Sequence, residues 1–242
     1  MRLENLVVDA LDPQRLGRFW QAALDGEPLT DEPGIFETRV AFGDGPFLDL
    51  CFQPVPDPPS APPRLHLDLR GGDRQAEVVE RLLELGARHL DIGQGAVPWV
   101  VLADPEGNPV CVMEPRAAYA GTGPVAALPL DSADPDRDVA LWTWLTGWTE
   151  VEGVAPHSLR HPSRRGPLLE LVPEVAVKGQ AKNRLHLDLR LEAGEDPDEV
   201  AAGIAERGGR PLETDWGELP WRSYTDASGN EFCVLPASSG VG

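Results

Sequence analysis

Basic charge is scarce in this chain. Twenty-one lysines and arginines, only two of them lysine (Lys178, Lys182), stand against 40 acidic residues, for a formal charge of −19 over 242 residues. A field of that sign repels a phosphate backbone and no basic stripe offsets it, so neither nucleic acid nor an anionic membrane surface is an expected partner. Long apolar runs are also missing: none approaches the ~20 residues that cross a bilayer. The N-terminus (Met1-Arg2-Leu3-Glu4-Asn5) lacks a secretory pattern. Cysteine is limited to Cys51, Cys111 and Cys233, an odd number without a CxxC pair. Reduced thiols and a cytoplasmic protein are expected. There is no GxSxG elbow, phosphate loop, HExxH or dinucleotide fingerprint, and Gly71-Gly72 alone is too little for a phosphate cradle.

What is present is a repeat. RLHLDLR occupies residues 64–70 and again 184–190; GPFLDL (45–50) answers GPLLEL (166–171); PWVVLADPEGNPVCVM (98–113) answers PWRSYTDASGNEFCVL (220–235). The pair Phe19-Trp20 has its counterpart in Leu141-Trp142, so four matches stay collinear at offsets of 120–122 residues. Chance matches do not keep one order and one spacing. The chain therefore reads as two copies of one domain, 1–118 and 124–242, joined through the small, turn-prone stretch RAAYAGTGPVA (116–126).

Each copy alternates strand and helix signals. Asp12 caps a helix with Pro13 in its first turn and Gly26 at its expected left-handed stop. A second helix is expected from near Asp73, with Ala76, Val79, Leu82 and Leu83 inward and Gly86 ending it. Asp134-Pro135 to Gly147 and Asp196-Pro197 to Gly208 repeat the grammar. The result is β-α-β-β-β twice per copy, an α+β fold with helices on one sheet face.

The strand period of two separates Leu65, Leu67 and Leu69 from His66, Asp68 and Arg70. If the leucines face the helices, a His-Asp-Arg row lies on the other side, with His186, Asp188 and Arg190 as its twin. Leu48, Leu50 and Phe52 similarly oppose Phe47, Asp49, Cys51 and Gln53, while Cys111 and Met113 share a face. On a curled sheet these second faces line a cup; on an open one they are wet, and an Asp-Arg pair is then a solvated charge pair worth under ~1 kcal/mol. Two of five histidines fall on the repeated site. His89, His157 and His161 read as surface residues, Cys111 and Cys233 as small buried hydrophobes, Trp99 and Trp221 as core, and DPEGN (104–108) with DASGN (226–230) as tight turns.

The FW-bearing first helix, the RLHLDLR strand and the DPEGN turn resemble the glyoxalase/bleomycin-resistance/dioxygenase group, the vicinal oxygen chelate superfamily, and within it the bacterial glyoxalase-like domains. The resemblance covers nearly the whole chain, once per copy, and is weakest over 26–44 and 147–163. It implies two tandem domains, each of two βαβββ modules with sheets curled around a cleft. In metal enzymes of this group four strands each supply one ligand. By resemblance those positions fall on Asn5, Asp49, His66 and Cys111, and in the second copy on Ala127, Glu170, His186 and Cys233. Asn5 is a poor substitute for histidine and Ala127 cannot ligate, so no metal site is assigned, although a carboxylate, imidazole and sulfur per copy could hold zinc. The expected function is binding of a small organic molecule, with Asp68, Arg70, Asp188 and Arg190 setting polarity. A divalent-metal-dependent lyase, isomerase or dioxygenase is the alternative, and an interaction module with a self-filled cup is a third. Either a monomer or a homodimer fits, because tandem copies can supply each other's partner modules.

Overall fold

The structure is a computed structural model that describes residues 1–58, 60–213, 217 and 219–238. Four βαβββ modules follow one another. The first comprises β1 (Arg2–Ala10), α1 (Pro13–Leu24), β2 (Glu27–Glu32), β3 (Ile35–Ala41) and β4 (Phe47–Pro54). The second comprises β5 (Leu67–Arg70), α2 (Gln75–Leu85), β6 (Arg88–His89), β7 (Val100–Ala103) and β8 (Pro109–Met113). The third comprises β9 (Val125–Ser132), α3 (Pro135–Thr146), β10 (Thr149–Val151), β11 (His157–Arg160) and β12 (Leu168–Pro173). The fourth comprises β13 (Leu185–Arg190), α4 (Pro197–Glu206), β14 (Arg210–Pro211), β15 (Arg222–Thr225) and β16 (Glu231–Leu235).

Modules of the same copy do not share a sheet. The first and fourth form one eight-stranded sheet in the order β14-β15-β16-β13-β1-β4-β3-β2, here sheet I. The third and second form the other, β10-β11-β12-β9-β5-β8-β7-β6, here sheet II. The seams are antiparallel: β1 meets β13 with Asn5 opposite Asp188 and Val7 opposite His186, and β9 meets β5 with Ala127 opposite Asp68. Each copy thus contributes half of both sheets, and neither sheet needs a second chain to complete it.

The helix signals act as expected. Asp12 and Asp134 accept hydrogen bonds from the Arg15 and Arg137 amides at 3.0 and 3.1 Å, Asp196 caps α4, and each of these helices has proline in its first turn. Gly86 and Gly147 take the left-handed stop, with φ of 113° and 65°. α1 departs from expectation: Asp25 is the left-handed residue at φ 52°, one position before Gly26, whose amide donates to the Gln21 carbonyl. A 3-10 turn over Gly72–Arg74 precedes α2, whose inward face is Leu82 with Val78, Val79 and Leu83, while Ala76 is exposed.

The strand alternation holds. Leu48, Leu50, Phe52, Leu65, Leu67, Leu69, Leu185, Leu187 and Leu189 join Phe19, Trp20, Trp142 and Ile204 in one core shared by both sheets and the helices. Each such side chain contributes about 1.5–3 kcal/mol on burial. Polar ties cross that core. The Trp20 indole N–H donates to Asp104 and that of Trp142 to Asp226, both at 3.2 Å. The paired FW/LW helices are therefore latched to the turns that begin at Asp104 and Asp226. No helix among the described residues is long and apolar enough to cross a membrane.

Candidate functional site

With the leucines turned to the core, the second faces of the two sheets carry the polar rows. On sheet I, Asn5 and Val7 of β1, Glu37 of β3, Cys51 of β4, His186 and Asp188 of β13 and Cys233 of β16 line a cavity of about 670 Å³. The segment Leu219–Trp221 and residues Ile35, Val55, Pro56 and Leu235 add apolar walls. Trp221, expected in the core, lines this cavity instead, just before β15.

The seam builds the polar centre. Asn5 Nδ2 donates to Asp188 Oδ2 at 3.3 Å, and His186 Nε2 lies 3.4 Å from Asp188 Oδ1. Asp188 and His186 are each 6% exposed, yet Asp188 Oδ1 and His186 Nδ1 have no hydrogen-bond partner. Burial alone would lower the His186 pKa; Asp188 and Cys233 outweigh it and raise it to about 9. Asp188 Oδ1 faces His186 Nε2, and His186 Nδ1 is left as a buried polar atom without a partner, which marks a place for one to be added.

Sheet II carries the related group His66, Asp68 and Cys111, with His66 Nε2 3.3 Å from Asp68 Oδ1. Its surroundings differ. Ala127, opposite Asp68, offers nothing where Asn5 binds Asp188. Glu170 stands opposite Ser158, whose buried hydroxyl has no partner, whereas Asp49 stands opposite Arg39 and takes two 2.7 Å hydrogen bonds from it. Burial, reinforced by the charge of Asp68, pushes Glu170 up to about 7. Burial also raises Asp49, against the pull of Arg39. A second apolar cluster of Val101, Cys111, Met113, Tyr119, Ala126, Ala127 and Leu168 fills this face, with Trp99 packed against it.

The residues singled out in sequence therefore divide between two places. Asn5, His186, Asp188, Arg190 and Cys233 line the sheet I cavity. Asp49 lies on sheet I, held by Arg39, and Arg190 is bound to Glu4 and the Pro236 carbonyl. His66, Asp68, Cys111 and Glu170 lie on sheet II. The first-copy quartet Asn5, Asp49, His66 and Cys111 is split, since β1 and β4 belong to one sheet and β5 and β8 to the other. Arg70 is exposed and lines a separate cleft beside α1 and α2. Cys51, Glu37 and Trp221 were not singled out as site residues; the alternation that placed Cys51 beside Asp49 was the signal available for it.

His186, Asp188 and Cys233 each bring one donor atom, all within 4.8 Å of one another, and His66, Asp68 and Cys111 do the same. Imidazole, carboxylate and thiolate are a donor set suited to zinc, and the unpartnered His186 Nδ1 fits it. All three cysteines are free and buried, and burial raises the thiols of Cys51 and Cys111 above their usual range.

A family model described as "Glyoxalase-like domain" matches residues 5–113 and again 127–235. No curated protein sequence matches. Among solved structures, glyoxalase I from Zea mays superposes with a TM-score of 0.67 at 16% identity, over 97% of this chain and 92% of that one. A putative dioxygenase from Bacillus subtilis gives 0.64 at 17%, over 99% and 86%. The cppA protein from Streptococcus pneumoniae gives 0.51 at 14%, over 98% of both. At these identities the likeness is one of fold. With both copies matched across the four modules, the chain belongs to the glyoxalase-like domain family, as a tandem pair.

Proposed function

We propose that the chain binds a small organic molecule in the sheet I cavity. The observation that carries this reading is the pairing of the buried His186–Asp188 pair, whose His186 Nδ1 has no hydrogen-bond partner, with apolar walls from Trp221, Ile35 and Leu235 around one space of about 670 Å³. A concave, mostly apolar site with a few convergent polar groups is the usual form of a small-molecule site. Arg190 and Asp188 set its polarity, and both copies contribute to it. The chain needs no partner subunit for this, and a monomer suffices.

A thermal-shift panel of small aromatics and antibiotics tests the reading. An occupant raises the melting temperature as RT ln(1 + [L]/Kd). At least one compound class should shift the wild type, with the shift lost in Trp221→Ala. A panel that shifts neither protein would remove the proposal.

The second reading is a divalent-metal-dependent lyase, isomerase or dioxygenase, favoured by the His186, Asp188 and Cys233 group and by the names of the fold neighbours, a glyoxalase I and a putative dioxygenase. A bound divalent ion would polarise substrate oxygens. The three side chains would hold it, and Asn5 would orient Asp188. Metal content of protein purified without chelator decides between the readings. Near-stoichiometric zinc, iron, manganese or nickel, lost in His186→Ala, supports the enzyme; a metal-free protein indifferent to chelator removes it.

A further inference from the structure

His157 opens β11, and its ring stands between carboxylates from two other elements. Nδ1 lies 2.7 Å from Glu150 Oε1 on β10, and Nε2 lies 2.8 Å from Asp136 Oδ1 in the first turn of α3. An ionised carboxylate only accepts, and a neutral imidazole carries a single N–H. Only the imidazolium donates to both oxygens at once. Among the described residues no other charged group is hydrogen-bonded to the ring. On α3, Asp134 caps the helix at the Arg137 amide, and the Arg137 guanidinium is bound to Asp138 and Ser228. On β12 the residue opposite His157 is the uncharged Leu171, and Glu152, in the turn after β10, is exposed. The Asp136 hydrogen bond, joined by that of Glu150, raises the His157 pKa above its usual 6.5 against a small opposing effect of burial.

What this bridge holds is a short cover. β10 is the edge strand of sheet II and meets β11 through three residue pairs, Thr149–Arg160, Glu150–Leu159 and Val151–Ser158. The turn between them, 152–156, lies against the polar face of the sheet. A Cβ added at Gly153 would come 1.9 Å from Ser158 Oγ and 3.7 Å from Glu170 Oε1, so the backbone rests directly on both side chains. Beneath it Ser158 and Glu170 are 1% and 3% exposed, and neither of those two oxygens has a hydrogen-bond partner. Closing the turn therefore takes water from two groups and returns no hydrogen bond to either. The cover is held by its three edge pairs and by His157, which makes it a candidate for local opening. We propose that the β10–β11 hairpin is a pH-gated cover over Ser158 and Glu170, latched to α3 while His157 bridges Asp136 and Glu150 as a cation and released when the ring loses that proton. A raised histidine pKa sets the direction: the latch is complete below about pH 6.5 and is lost as pH rises through the higher folded value. Once the ring is neutral, one carboxylate faces a lone pair and two negative charges flank an uncharged group.

Hydrogen–deuterium exchange of the full chain tests this, read on peptides spanning 149–160 and corrected for the intrinsic pH dependence of amide exchange. Between about pH 5.5 and 8.5 the corrected rate in these peptides should rise roughly tenfold, the loss of one charge-assisted hydrogen bond expressed as an opening equilibrium. Peptides from β12 (Leu168–Pro173) should stay protected throughout. His157→Gln, which has no titrating ring, should exchange at the fast rate at both pH values. A wild-type rate that does not change with pH overturns the proposal, and so does a pH dependence that persists in His157→Gln. Persistence there together with its loss in Glu170→Gln would assign the opening to Glu170 instead. If His157→Gln does not fold, an NMR titration of the wild-type ring decides: the His157 midpoint must coincide with the midpoint of the exchange change, and a mismatch overturns the proposal.

Discussion

Asn5 of the first copy donates a 3.3 Å hydrogen bond to Asp188 of the second, across the β1–β13 seam. The two residues are 183 positions apart, and their contact defines the candidate site as a joint product of both copies. The duplication matters to function for that reason: neither copy alone brings Asn5 and His186 to one cavity.

Asn5→Ala removes the donor and leaves the buried Asp188 carboxylate with His186 as its one remaining polar neighbour. Loss of a partner to a buried charged group costs about 1–3 kcal/mol. Urea denaturation should show the midpoint falling without a change in slope. An unchanged midpoint would mean that water replaces the amide at no cost.

Trp20→Phe and Trp142→Phe each keep an aromatic in the core but delete the indole donor to Asp104 or Asp226. Both should destabilise, by about 1–3 kcal/mol each. The two losses should add in the double variant, since the sites share no partner. Thermal denaturation of the three variants checks this, and a loss confined to one site would break the pseudo-equivalence of the copies.

Glu170 is raised to about 7 from an ordinary value of 4.5. A carboxyl raised on folding contributes stability that is fully present below its unfolded pKa and is lost as pH rises through its folded pKa. Between about pH 4.5 and 7 the unfolded chain gives up the proton that native Glu170 keeps, so stability falls across that window, on the order of 3 kcal/mol in full. Glu170→Gln stays neutral throughout. Its melting temperature relative to wild type should climb from pH 5 to pH 8 and level off above that. A difference constant with pH would contradict the buried environment described for Glu170.

Cys51, Cys111 and Cys233 are all buried and unpaired by disulfide. A thiol reagent such as DTNB should label none of them in the folded protein within minutes and all three in denaturant. Rapid labelling of one thiol in the native state would show that the sheet faces open to solvent.

Much of this was legible in the sequence. The repeat gave the four modules, and the leucine alternation in both RLHLDLR strands placed the histidine and aspartate rows correctly. Strand period reports which face a side chain takes, but not which strand lies beside it. For that reason the quartet carried over by resemblance joined Asn5 and Asp49 to His66 and Cys111, whereas the pairing of β1 with β13 brings His186 and Cys233 to Asn5. The latch between Trp20 and Asp104 was hidden for the same reason: two motifs in one copy were read separately, and only packing joins them. Tyr119 gave no signal, because a tyrosine in an Ala- and Gly-rich connector reads as linker until the chain is seen to turn inward.

The central claim is that the space between His186, Asp188 and Trp221 holds a small molecule. Crystals of the full chain soaked with the compound giving the largest thermal shift test it most directly. The account predicts ordered density in that space, with a polar atom of the compound within hydrogen-bond distance of the His186 or Asp188 side chain. Density for the compound elsewhere, with that space holding only solvent, would contradict it.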